Sequence, residues 1–440
     1  MSRMLYGLVV MFIAYAGGTM AEPQIQQLTT PKGIAVWLVE SHQIPMVSAE
    51  VAFRNGSAFE PAAKAGLANL TASLLDEGAG DMDAKAFTEA LDGIGARLGA
   101  GADKLDTSVN LTTLSDHKER AFELLGLAVR EPRFDAADVA RVKEAIVAGI
   151  RQSEESPQAV TSKQFMAAVF AGHPYGRPSV GEEATVTGLS AEDVKGWHAA
   201  QYTRANMVVS VVGDVTPAEV VRLVDGALAG LPAGEARNRM VEAPAPVAGK
   251  VVATRKEVPQ AAVMVGHLGL SRDDPDYWPM LVMNDLLGAG GGLTNRLVDV
   301  VREKHGLVYH VGSTNIPMPL AGVFLVQLQT ENGKAQFALE LVKKELQRMQ
   351  DTAPTAEEFA DTVDYLAGSF PLRIDSNAKI LTYLSLMQME GLGVDYLDTW
   401  VDHVRAVTPA DVQRVAKRVL HPDAAVLSVV GDGPALKAKF

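Results

Sequence analysis

The sequence predicts an α+β fold of two homologous α/β sandwich domains, each an antiparallel sheet packed with helices. Three observations predict it. First, 440 residues are too many for one ordinary core. Second, residues 190–214 (SAEDVKGWHAAQYTRANMVVSVVGD) and 408–432 (TPADVQRVAKRVLHPDAAVLSVVGD) align without a gap at an offset of 218, with eight of 25 positions identical. A repeat near half the chain length points to a duplicated domain, although strands share a vocabulary that also produces chance matches. Third, strand-like runs come early in each half and amphipathic helical runs follow, which suits α+β and not a βαβ series.

In chain order, residues 1–21 read as an export signal. Arg3 gives a basic start, residues 4–16 are largely apolar, and small residues lead to cleavage after Ala21. The competing reading is an uncleaved anchor, but the run is shorter than the roughly 20 residues that span a bilayer. The first domain covers residues 22–232, with strands at 34–39 and 46–53 and an amphipathic helix at 138–154. It closes with the first repeat copy: Ser190 caps a helix with Asp193 three positions on, and a β-branched strand ends in Gly213-Asp214. Residues 231–247 (LPAGEARNRMVEAPAPV) contain Pro and charge without apolar periodicity and read as the linker. The second domain, residues 248–440, repeats the order: strands at 251–255 and 261–268, helices, then the Thr408-capped copy.

Composition narrows the function classes. With 48% hydrophobic and 21% charged residues the chain is globular and not disordered. A formal net charge of -13 disfavours nucleic acid, which is bound through clustered Lys and Arg. Peptides, small molecules or proteins are the expected partners. Without cysteine there is no disulfide and no thiol for lipid attachment, which together with the export signal suits a bacterial periplasm and no membrane contact after cleavage.

The stretch Gly66-Leu67-Ala68-Asn69-Leu70-Thr71-Ala72-Ser73-Leu74-Leu75-Asp76-Glu77-Gly78 resembles the zinc helix of the insulinase-like (pitrilysin) peptidases, whose H-x-x-E-H follows a Gly-Leu-Ala lead-in. Further segments extend the resemblance over the whole mature chain: Asn55-Gly56-Ser57 with Glu60, His173-Pro174-Tyr175-Gly176, residues 288–297 (GAGGGLTNRL) and residues 301–313 (VREKHGLVYHVGS). The matching zinc positions are Asn69, Ala72 and Ser73, and an amide, a methyl and a hydroxyl cannot replace two imidazoles and a carboxylate. The third ligand position implied by the resemblance falls at Gly149, with Glu144 nearby. Elsewhere His305 and His310 lie five apart around Gly306, which fits no helix-face pair.

The resemblance implies two domains arranged as a clam shell whose chamber is completed by a second pair of domains. It also implies that Arg302 and Tyr309 reach towards a peptide on a partner's zinc, where fixed donors stabilise a developing oxyanion. From spacing alone, Arg302 merely ends a helix at 294–304 and Tyr309 packs in the next strand. The run containing Gly290, Gly291 and Gly292 lacks the G-K-[ST] of a phosphate loop. In position it resembles the substrate-admitting loop of the non-catalytic subunit of mitochondrial processing peptidase. The expectation is thus a chain with no cofactor of its own, paired with a homologous zinc-bearing subunit and closing a chamber around a peptide. A non-hydrolytic peptide- or protein-binding chamber is the alternative. An independent hydrolase ranks last, since there is no Cys and no G-x-S-x-G.

Overall fold

The computed structural model describes residues 23–236, 242–289 and 295–440. The expected export signal at 1–21 and Gly290, Gly291 and Gly292 lie outside the described residues. The strands are β1 (Ile25–Thr29), β2 (Ala35–Glu40), β3 (Met46–Phe53), the short pair β4 (Gly78–Ala79) and β5 (Met82–Asp83), β6 (Arg97–Ala102), β7 (Thr107–Leu114), β8 (Met207–Gly213), β9 (Val251–Arg255), β10 (Gln260–Gly269), β11 (Val308–Ile316), β12 (Gly322–Glu331) and β13 (Val426–Gly431).

They form a six-stranded sheet in the order β1-β2-β8-β3-β7-β6 and a five-stranded sheet in the order β11-β12-β10-β13-β9. Read from opposite ends the orders correspond, with β8 and β13 each inserted beside a central strand, as duplication requires. Pairing is antiparallel except for β2 with β8 and β13 with β9, which are parallel. The sheets are thus antiparallel-rich, as the α+β reading expects, with one parallel pair in each. Each closing strand returns only after a long helical excursion, and such a connection permits a parallel neighbour.

The closing unit itself forms as its sequence specifies. Ser190 and Asp193 make a reciprocal capping box on helix Ala191–Gln201, and Thr408 and Asp411 do the same on Pro409–Val419. The strands that follow, β8 and β13, are almost wholly buried. A strand buried on both faces needs cover on both faces, and in this chain the second cover is exchanged between domains.

Helix Pro157–Val169, from the first half, packs on β10 and β13 of the second sheet, while helix Asn377–Glu390, from the second half, packs on β8 and β3 of the first. Side-chain alternation fits both. On β3, Val47, Ala49, Val51 and Phe53 enter the first domain's main core, and on the opposite face Glu50 accepts a hydrogen bond from Ser385 of the exchanged helix. On β10, Ala261, Val263 and Val265 enter the second core, and Met264 faces Phe165, Ala168 and Val169 of the other exchanged helix. Gln388 adds donors to the Val209 carbonyl at 3.1 Å and to Ser210 Oγ at 2.7 Å.

Candidate functional site

The emptied zinc helix keeps its supports. Glu60, buried, accepts hydrogen bonds from the backbone amides of Gly66 (3.0 Å) and Ala68, and so anchors the start of helix Leu67–Ala72. Burial pushes its carboxyl up to about 6. Gly66 has φ +97, and a Cβ there would lie 2.8 Å from the Val180 carbonyl oxygen, so glycine is required. This accounts structurally for Glu60 and the Gly66 lead-in.

On the helix, Asn69 and the helix-ending Ser73 are half-buried, and Ala72 is fully buried. Glu77 beyond them is paired with Arg141, which also reaches Asp138 at 3.1 Å. Helix Ala136–Glu155 carries Gly149, where an added Cβ would meet nothing within 4 Å. Glu144 is exposed on the same helix. The donor set does not fit zinc, and among the described residues no group of three or more His, Cys, Asp or Glu could hold a metal.

The second half builds its presented pair from two backbone irregularities. The expected helix at 294–304 is corrected: residues Val298–Lys304 wind as a π-helix, a form concentrated at functional sites. Asn295 Oδ1 accepts from the Val298 amide at 2.9 Å. The turn closes with Gly306 N donating to Arg302 O (2.8 Å) and Leu307 N to Val301 O (3.1 Å), and Gly306 at φ +59 redirects the chain.

Strand β11 then carries a bulge, with its register against β12 shifting between Val308 and Val311. Both valines are buried and the two residues between them, Tyr309 and His310, face outward. Tyr309 is 87% exposed. The Arg302 guanidinium carbon stands 5.6 Å from the centre of its ring, within cation–π range, and Nε lies 3.5 Å from Glu303. The two residues are therefore brought together. The reading of Tyr309 as a packed strand residue does not hold.

Sequence reasoning gave His310 no role, although the bulge exposes it beside Tyr309. At their feet lies a groove of about 560 Å³ between the start of helix Pro157–Val169 and strands β10, β12 and β11, lined by Gln158, Gln260, Gln327 and Gln329 among others. It lies beside the stretch of β12 where Gln327 and Gln329 stay uncovered, beyond Val323 and Leu325, which are buried with the exchanged helix. His305 is spent locally, its Nδ1 2.7 Å from the Val300 carbonyl oxygen.

A duplicated sandwich with a degenerate metal helix in one half and a presented Arg–Tyr pair in the other defines a peptidase-type scaffold without its metal ligands. The comparisons with known proteins agree. Residues 35–183 match the insulinase (peptidase family M16) profile and residues 188–366 the peptidase M16 inactive domain profile. A peptidase M16 inactive domain from Pseudomonas fluorescens superposes with a TM-score of 0.88 at 31% identity, over 93% of this chain and 98% of that one. An uncharacterized zinc protease of Streptomyces coelicolor is 26% identical over 92% of this chain and 89% of its own length. A non-peptidase homolog of Helicobacter pylori, YmxG, is 24% identical over 93% and 94% respectively. The chain belongs to the insulinase family, M16.

Proposed function

We propose that this chain is the zinc-free subunit of a heteromeric metallopeptidase, exported to the periplasm. It closes a peptide chamber and supplies Arg302 and Tyr309 to a homologous partner that carries H-x-x-E-H and the zinc. The observation that carries the reading is the contrast between the two halves. The metal positions hold Asn69, Ala72, Ser73 and Gly149, whereas Tyr309 stays 87% exposed with Arg302 over its ring. Together the guanidinium and the phenol offer fixed donors to a ligand, which favours a ligand-facing role. The resemblance in sequence position assigns substrate binding to Gly290, Gly291 and Gly292 as well.

The test is co-expression with a zinc-bearing homologue from the same genome. One size-exclusion peak containing both chains, with peptide turnover that neither chain shows alone, is expected. Separate elution at micromolar concentration, or near-stoichiometric zinc and chelator-sensitive activity in this chain alone, would overturn it.

A second reading, a chamber that holds peptides or a partner protein without hydrolysis, is favoured by the relative named a non-peptidase homolog. Peptide binding by a homodimer, with no turnover in any pairing, would select it.

A further inference from the structure

A cavity of about 300 Å³ lies where the two domains meet. Its body is apolar, formed by Phe59, Leu105 and Tyr175 of the first domain and Met318, Leu386 and Met389 of the second. Its polar groups converge from both sides: Glu50, Arg54 and Asp106 against Arg272, Asp273 and Glu390. Apolar walls with a few converging polar groups are the usual form of a small-molecule site.

The charges decide what would fit. Four carboxylates face two guanidiniums. Arg272 is bound to Glu390 and also donates to Tyr277 Oη at 2.7 Å, and Arg54 donates to the Gln388 carbonyl at 3.0 Å. Glu50 accepts from Ser385. Among the described residues no hydrogen bond or ion pair reaches the Asp106 carboxylate, and Arg54, which shares the cavity wall, is the cation that attracts it. Asp106 sits on a turn fixed by Asp103 Oδ1, which accepts from the Leu105 amide at 2.8 Å. Burial, with Asp103, Glu50 and Glu390 facing it, pushes its carboxyl up to about 7 against the opposing pull of Arg54. Above the cavity Leu320, also in its lining, is held at φ +72, a conformation that disfavours a branched side chain. The loop carrying it is tied across the seam by Tyr175 Oη donating to the Pro319 carbonyl at 3.1 Å.

We propose that this interdomain cavity binds a small organic cation, an amine or guanidinium on an aliphatic stem, with the stem between Met318, Leu386 and Met389 and the charge on Asp106. Its volume suits one side chain or one free amine and not a folded segment. Because the walls come from both domains, occupancy also clamps them together. The proposal is independent of the peptidase reading and of any partner chain.

Calorimetric titration of the purified chain with agmatine at pH 8 tests it. Saturable one-to-one binding is expected, with affinity falling as pH drops through 7 and Asp106 takes up a proton. Asp106→Asn should weaken binding about tenfold or more, the usual effect of losing a charge-assisted hydrogen bond. Leu386→Trp should abolish it by filling the cavity while leaving Asp106 in place. The tripeptide Gly-Arg-Gly, capped at both ends, distinguishes the sources: tighter binding than agmatine assigns the site to a peptide side chain, and weaker binding assigns it to a free amine. Binding of n-pentanol as tight as that of agmatine, unchanged affinity in both folded variants, or no binding of either cation at millimolar concentration would overturn the proposal.

Discussion

If Arg302 and Tyr309 hold the scissile carbonyl of a peptide on a partner's zinc, the substitution Tyr309→Phe separates catalysis from stability. The side chain is 87% exposed, and the ring that faces the Arg302 guanidinium at 5.6 Å is kept, so only a solvated hydroxyl disappears. Surface changes of this kind alter stability by about 0.5 kcal/mol or less. Loss of one preorganised donor to an oxyanion costs about 2.7–4 kcal/mol, or roughly 10² to 10³ in turnover. Arg302→Ala should reach a similar loss, with some extra effect on the local fold because its side chain is 36% exposed and leans on Glu303. The assay is kcat and KM of the reconstituted complex, with thermal unfolding and complex mass measured on the same samples. The expected pattern is a fall in kcat with unchanged assembly and an unchanged melting temperature. Wild-type turnover in both variants, or a fall that merely follows dissociation of the complex, refutes the reasoning and leaves the pair as surface features.

Three further outcomes follow from the architecture. Because Phe165 is fully buried against the second sheet although it belongs to the first half, Phe165→Ala should cost about 3–5 kcal/mol. Hydrogen exchange should quicken in β10 and β13 before β3, whereas Leu384→Ala, buried on the other exchanged helix, should loosen β8 first; the reverse order would contradict the exchange. Asn69→His with Ser73→His should not create a zinc site, and adding Gly149→Glu, where a Cβ meets nothing within 4 Å, is the change expected to raise zinc affinity in a metal titration. Ala72→Glu should destabilise, since it would put a carboxylate at a fully buried position. Finally, Glu60 titrates near 6 when folded, above its ordinary value of 4.5. Its contribution to stability is therefore full below 4.5 and lost as pH rises through 6, by about 2 kcal/mol. Urea unfolding should show Glu60→Gln gaining on the wild type between pH 4.5 and 7, and a pH-independent difference would sink that account.

Much of this was legible in the sequence because it is local. The strands expected at 46–53 and 251–255 match β3 and β9, and both capping boxes formed from Ser190 and Thr408 as their spacing dictates. The emptied metal position is a matter of three residue identities and needs no fold at all. What could not be read is tertiary. Helix Pro157–Val169 buries Thr161, Phe165, Ala168 and Val169, but its sequence shows no marked apolar stripe and does not say whose sheet receives it, so the exchange of helices was invisible. The interdomain cavity was equally so, since Glu50, Asp106 and Leu386 meet only after folding.

The Arg–Tyr site lies between these cases. Residues 308–311 read Val-Tyr-His-Val, and two core-facing residues three apart violate the period of two that a regular strand obeys. The chain can bury both valines only by inserting an extra residue, and that bulge turns Tyr309 and His310 outward together. The same logic applies one turn earlier. A π-helix carries one more residue per turn than the α-helix it interrupts, which rotates Arg302 relative to where an α-helix over 294–304 would have aimed it. Two single-residue irregularities, on either side of the left-handed Gly306, thus convert a helix end and a strand start into one exposed pair. Deleting His310 should restore the period of two, with Val308 and Val311 both on the core face and Tyr309 still outward but displaced relative to Arg302, so the pair should be lost without touching either residue.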